Sequence, residues 1–225
     1  MIYIDMGRME YSKVREIQLR IHQKRVENRI PDILLLVEHP PVITLGKSGS
    51  LENLLVPLEE LRRRNIGFYR IERGGDITYH GPGQIVGYPI FFIRDSLAGI
   101  RAFIERIEDA LILSLKPLGV KAYKKEKEIG VWTEKGKIAS IGIAVKRWVS
   151  FHGFALNVTR DTEPFSLINP CGRRNLRLTS IEEFLGKEMD MVKVKRRIVE
   201  GFERAFKRRF ERRDIEAILV EDKPA

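Results

Sequence analysis

Two periods alternate along the chain. Between residues 11 and 28, Val14, Ile17, Ile21 and Arg25 fall on one helical face and the segment stops before Pro31, so a helix is predicted there, after a short strand over residues 2–4. Residues 33–37, Ile-Leu-Leu-Leu-Val, are apolar without a break. That is the pattern of a strand covered on both faces, and a second such run fills residues 42–45. Pro57 suits the first position of a helix over residues 58–64 that Gly67 closes, and residues 68–71 read as a strand. Residues 85–93 are strand-like. The longest helix is predicted over about residues 97–118, where Ile100, Phe103, Ile104, Ile107, Leu111 and Leu115 keep one face and Gly119 supplies the cap.

From residue 120 to residue 158 the pattern turns to β. Residues 129–132, a turn at Glu134-Lys135-Gly136, residues 137–145 and residues 149–158 read as consecutive antiparallel strands. Residues 161–169 carry no period and are expected to be irregular, and Pro170-Cys171-Gly172 is a turn. Ser180 and Glu183 form a capping box that opens a short helix, while Val194, Ile198, Phe202, Ala205 and Phe206 mark a last helix over about residues 191–210. The chain has 225 residues and no internal repeat, linker or low-complexity segment, so one domain over residues 1–225 is expected. Its class is mixed α/β, of the α+β type, with a β-rich middle and helices packed outside.

Composition adds bounds. No apolar run approaches the ~20 residues of a membrane span, and the first residues lack the order of a signal peptide. A single cysteine excludes an internal disulfide, which fits a reducing cytoplasm. The net charge of +10, from 41 basic against 31 acidic residues, points to an acidic or polyanionic partner. Lys193, Lys195, Arg196, Arg197, Lys207, Arg208 and Arg209 form a basic stretch of the kind nucleic acid uses. Glu200, Glu203 and Glu211 interrupt it and no nucleic-acid fold signature accompanies it, which weakens the nucleic-acid case; an acidic carrier protein is an equally physical partner, and such a run is more often just a solvated helix side.

Three stretches hold candidate chemistry. Arg73-Gly74-Gly75-Asp76-Ile77-Thr78-Tyr79-His80-Gly81-Pro82-Gly83-Gln84 packs four glycines, a proline, a histidine and an arginine into twelve residues, which lets main-chain N–H groups approach a ligand closely. The same stretch read as an anonymous Gly-rich segment is a connector between strands. Cys171 is flanked by Asn169-Pro170 and Gly172, on a turn where it can reach a ligand, whereas an inert cysteine more usually packs among apolar residues. A catalytic thiol needs a base or a positive charge nearby. Lys137 is the candidate: a period of two places it on the face of Ala139, Ile141, Ile143 and Val145, an unusual site for a lysine. Desolvated, it would act as a base; charged, it would stabilise a thiolate; the alternative is a lysine that snorkels from a strand end.

Together these blocks resemble the lipoyl(octanoyl) transferase family. The likeness runs through Glu38-His39-Pro40-Pro41 leading to Thr44-Leu45-Gly46, the Gly-rich block, Gly136-Lys137-Ile138-Ala139-Ser140-Ile141-Gly142, Val149 to Asn157, Pro170-Cys171-Gly172 and Thr179-Ser180, in the family's order. His39 beside two prolines equally suits a structural turn. The resemblance implies a fold similar to the catalytic domain of lipoate ligases and biotin protein ligases. It implies octanoyl (or lipoyl) transfer from acyl carrier protein to a lysine of lipoyl-domain proteins, such as E2 subunits and the glycine cleavage H protein, with no cofactor and no metal. Cys171 would carry the acyl thioester and Lys137 would lower its pKa. Arg73, Gly74, Gly75, Asp76, Ile77, Thr78, Tyr79, His80, Ser140, Ile141, Gly142, Gly153, Phe154 and Ala155 would line the acyl site. Departures from the family pattern are Ile43, Lys47 and Arg173, the last beside the thiol. An ATP-dependent lipoate or biotin ligase of the same fold is the competing expectation, although His80-Gly81-Pro82-Gly83-Gln84 departs from the ligase pattern. A monomer is expected.

Overall fold

The computed structural model describes residues 1–93, 96–159 and 163–219, with the backbone alone for residues 96–98. The chain opens with β1 (Ile2–Arg8), α1 (Tyr11–Val26), β2 (Ile33–Glu38) and β3 (Val42–Leu45). After a 3-10 turn at Leu51–Asn53 come α2 (Leu58–Arg63), β4 (Gly67–Arg70), β5 (Ile77–His80) and β6 (Gln84–Ile90). The long helix α3 (Ser96–Leu115) leads into β7 (Tyr123–Lys125), β8 (Glu128–Thr133), β9 (Gly136–Lys146) and β10 (Val149–Asn157). Short 3-10 turns at Glu163–Leu167 and Pro170–Gly172 precede α4 (Ile181–Leu185), α5 (Met191–Phe206), β11 (Glu211–Arg212) and α6 (Ile215–Leu219).

Among the described residues, eight strands form one sheet in the order β11-β1-β2-β6-β10-β9-β8-β7, and β4-β3-β5 form a second, smaller one. The large sheet is mostly antiparallel; only β1 runs parallel to its neighbours β2 and β11. Strand β2 shows why it reads as an unbroken apolar run. Leu34 and Leu36 enter the core that α3 and α5 cover with Ile107, Leu111, Ile198 and Phe202, whereas Ile33, Leu35 and Val37 enter the core on the other face with Val14 and Ile21 of α1. The small sheet has its own core around Ile43, Ile77 and Tyr79.

Several boundaries differ from the sequence reading. The glycine block contains a strand, β5, which pairs with β3 from Val42↔His80 to Leu45↔Ile77. Gly67 opens β4 and does not close α2, whose cap is Arg64, and Pro57 is the N-cap residue one position before the helix. Helix α5 stops at Phe206, because Lys207 turns to a left-handed φ of 52° and gives its N–H to the Glu203 carbonyl. Residues 163–167 form a 3-10 turn within the stretch expected to be irregular; the start of that stretch, at Asp161, lies outside the described residues. Ser180 caps α4 as the capping box requires, accepting from the Glu183 N–H at 3.1 Å.

Candidate functional site

The glycine block is fastened before any side chain acts. Gly46 N–H donates to the Asp76 carbonyl at 3.2 Å, Lys47 N–H to the Arg73 carbonyl at 3.0 Å, and Gly74 N–H to the Ile143 carbonyl of β9 at 2.9 Å. Backbone bonds therefore tie the block to both sheets. Arg73 is buried beneath it, with Nη2 donating to the Thr44 carbonyl at 2.8 Å and to Thr44 Oγ1 at 3.0 Å. Burial lowers the guanidinium pKa, and the neighbouring Tyr11, Cys171 and Asp76 oppose that shift.

Cys171 and Lys137, 34 residues apart in sequence, are brought together: Lys137 Nζ lies 3.8 Å from Cys171 Sγ. The cysteine is exposed, on a turn at φ 56° and ψ 25°, a left-handed conformation that side-chain-bearing residues seldom adopt. Asn53 braces that turn. Its carbonyl accepts the Asn169 N–H at 2.8 Å, and its Nδ2 donates to Asp76 Oδ2 at 2.7 Å, while Asp76 Oδ1 accepts the Ile77 N–H at 2.7 Å. Asp76 thus links the glycine block to the cysteine turn.

Lys137 is buried at the start of β9, its N–H donating to the Arg177 carbonyl at 2.9 Å and its carbonyl accepting the Thr179 N–H at 3.0 Å. The register of β8 and β9 overturns the expected face. Trp132 pairs with Lys137 but Val131 pairs with Ala139, so two residues of β9 step past one of β8. This bulge breaks the period of two and puts Lys137 on the face of Trp132 and Gly130, opposite Ala139. Gly130, at φ 128°, is required by the arrangement, since a Cβ there would stand 2.4 Å from Lys137 Cε. The Trp132 ring centroid lies 5.4 Å from Lys137 Nζ.

The pair opens into a cavity of about 470 Å³. Residues 73–78, His80, residues 140–142 and residues 153–155, all anticipated for the acyl site, line it, as do Lys137 and Cys171. Tyr79 does not. Alternation along β5 turns its ring into the small-sheet core, against Phe165 at 5.5 Å between centroids. Tyr11, Tyr88 and His152 also line the cavity and were not anticipated, because nothing in their local patterns separates them from core residues. Gly130 did carry a signal, an isolated glycine inside a strand pattern.

Burial disfavours the charged form of the histidines around the cavity. Burial lowers His80 to about 3, and its Nδ1 donates to Gln84 Oε1 at 2.7 Å. Gln84 Nε2 in turn donates to Asn157 Oδ1 at 2.9 Å, and Asn157 Nδ2 to the Thr179 carbonyl at 3.0 Å, so His80 is connected to the segment that pairs with Lys137. Burial lowers His152 to about 4 against the opposing pull of Glu72, 3.3 Å away. His39, lowered by burial to about 4, bridges the Met9 carbonyl and the Tyr88 hydroxyl at 2.8 and 2.7 Å, which is a structural role.

Residues 10–203 match the family model described as the lipoyl protein ligase A/B catalytic domain. A protein named octanoyltransferase from Syntrophobacter fumaroxidans is 43% identical over 219 residues, 96% of each chain. Another of that name from Caldicellulosiruptor saccharolyticus is 42% identical over 228 residues, 98% of this chain and 96% of its own. Among solved structures, a bi-partite lipoate protein ligase from Thermoplasma acidophilum, described with its E2 lipoyl domain, superposes with a TM-score of 0.75 at 16% identity, covering 99% of this chain and 92% of that one. The biotin protein ligase of Aquifex aeolicus gives 0.51 at 10% identity over 92% and 68% of the two chains. The fold is thus that of the lipoate and biotin ligases, and the chain belongs to the lipoyl protein ligase A/B catalytic-domain family.

Proposed function

We propose that this protein transfers an octanoyl group from acyl carrier protein to a lysine of lipoyl-domain proteins through a thioester on Cys171, the whole chain acting as one catalytic domain. Relatives named octanoyltransferase at 43% and 42% identity support the acyl group and the reaction class. The observation that carries the cysteine route is Lys137 Nζ at 3.8 Å from Cys171 Sγ at the wall of a cavity of about 470 Å³. Such a volume suits a ligand of this size.

In the first half-reaction Lys137 takes the Cys171 proton and Sγ attacks the donor carbonyl. Collapse of the tetrahedral adduct breaks the bond to the carrier sulfur, which leaves with the proton returned by Lys137. One thioester replaces another. In the second half the acceptor amine attacks the Cys171 thioester, a carbon–nitrogen bond forms as the carbon–sulfur bond breaks, and the amine proton passes through Lys137 to Sγ. The product is an amide, more stable than the thioester it replaces, so no ATP enters the balance. Residues 73–78, His80, 140–142 and 153–155 enclose the acyl chain. Acceptors are lipoyl domains of E2 subunits and the glycine cleavage H protein, and a free-thiol nucleophile operates best in a reducing compartment such as the cytoplasm.

The test is the intact mass of the protein after incubation with octanoyl carrier protein, for the native chain and for Cys171→Ser. An octanoyl adduct on the native chain alone, without nucleotide, supports the proposal. Transfer that needs ATP and leaves Cys171 free would replace it with a ligase.

A further inference from the structure

Beside the catalytic cavity lies another of about 450 Å³, and the two share Arg173 and Leu176 as a common wall. Its remaining lining includes Lys125, Trp132, Glu134, Asn175 and Arg177. One indole stands beside a cation of each space: Lys125 Nζ is 3.9 Å from the Trp132 ring centroid and Lys137 Nζ 5.4 Å from it. Arg177 is one backbone hydrogen bond from Lys137, through its carbonyl at 2.9 Å. The groove therefore lies beside the reactive pair.

Its charge is uneven. Arg173 is paired with Glu128, but Lys125 and Arg177 have no carboxylate partner among the described residues, and Glu134 is the one acidic side chain lining the groove. Two cations without a carboxylate partner, in a groove that shares a wall with the thiol's cavity, suit a polar arm that carries a phosphate.

We propose that this groove holds the pantetheine arm of the donor thioester, with the arm's phosphodiester against Arg177 and Lys125; the inference rests on the octanoyl-transfer reading above. When the acyl chain fills the catalytic cavity and its carbonyl meets Cys171, the rest of the donor must leave past Arg173. The arm is flexible, carries two amides and ends in an anion, so it suits a groove lined by cations. An acceptor lysine brings only its own short side chain, which needs an open approach and no groove. The volume lies within the ~300–1,000 Å³ of ordinary ligand sites.

The experiment compares octanoyl-pantetheine with octanoyl-phosphopantetheine as donors to the full chain, following Cys171 acylation by intact mass. The phosphate should raise kcat/KM about tenfold, as one charge-assisted hydrogen bond does. That ratio should fall toward one in Arg177→Ala and in Lys125→Ala, and Arg177→Lys should restore part of it. Being a ratio within one protein, it is insensitive to a general loss of activity in any variant. Equal kcat/KM for the two donors in the native chain, or a ratio unchanged in both alanine variants, would overturn the inference while leaving the cysteine route intact. Variants that raise KM for the lipoyl-domain acceptor and keep the donor ratio would give the groove to the acceptor, and the inference falls. Absence of a Cys171 adduct from either donor removes the transferase reading itself and this inference with it.

Discussion

Cys171 is exposed and contributes little packing, so Cys171→Ala should leave stability within roughly 0.5 kcal/mol of the native value and abolish transfer. Thermal melts beside turnover assays check both halves; turnover by a stable Cys171→Ala protein would end the covalent route. Gly130→Ala is a sharper probe, because its Cβ would sit 2.4 Å from Lys137 Cε on a backbone at φ 128°. Strain and displacement of this kind cost about 1–3 kcal/mol, and moving Lys137 should lower transfer at least tenfold while the chain still folds. A Gly130→Ala protein with native kinetics would show that the lysine stem has room to spare. Cys171 and Lys137 were legible as candidates because each breaks its surroundings, a thiol on a turn and a lysine in an apolar strand. Asn53 was not, since it braces the cysteine turn from a stretch with no period, 23 residues before its partner Asp76.

Helices and long strands were largely legible, because α1, α3, α5 and the β8–β10 meander each bury a regular set of side chains. What escaped was set by tertiary pairing. Strand β5 has four residues inside a glycine-rich block, and its partner β3 is far upstream, so no local pattern marks it. The β8–β9 bulge likewise follows from register and not from composition, yet it decides which way Lys137 faces. Helices α3 and α5 cross where Gly201 meets its neighbour: a Cβ there would lie 2.3 Å from the Ala110 carbonyl oxygen and 2.1 Å from Ser114 Oγ. Gly201→Ala should therefore push the helices apart and destabilise the fold by about 1–3 kcal/mol, despite alanine's better helix propensity. Urea midpoints decide the sign, and a stabilised variant would mean that the crossing yields without cost.

Across the whole molecule, burial lowers all four histidines: His39 and His152 to about 4, His80 to about 3, and His22 in the same direction. In the unfolded chain each returns to about 6.5, so between that pH and about 4 the unfolded state binds more protons. Stability is full above pH ~6.5 and is lost as pH falls through this window, by up to ~1.4 kcal/mol per pH unit for each of His39, His80 and His152. Urea midpoints between about pH 7 and about pH 5 should fall steeply; a flat profile would mean that these histidines accept protons in the folded state. The net charge of +10 makes a separate prediction, that transfer from an acidic carrier protein weakens as the Debye length contracts from ~10 Å at 0.1 M salt to ~3 Å at 1 M. A small neutral donor should respond far less, and equal responses would exclude electrostatic docking. Finally, the last elements of the fold guard its sheet. Exposed Glu211 and Arg212 of β11 cover the outer side of β1 by pairing with Ile2 and Tyr3, and at the opposite margin β7 presents Lys124 and Lys125. Both margins are thus charged and short, which discourages strand-to-strand growth between molecules. A chain cut after Phe206 would uncover β1 as a template for a second copy, so its first symptom should be self-association, even though every residue of the cavity remains.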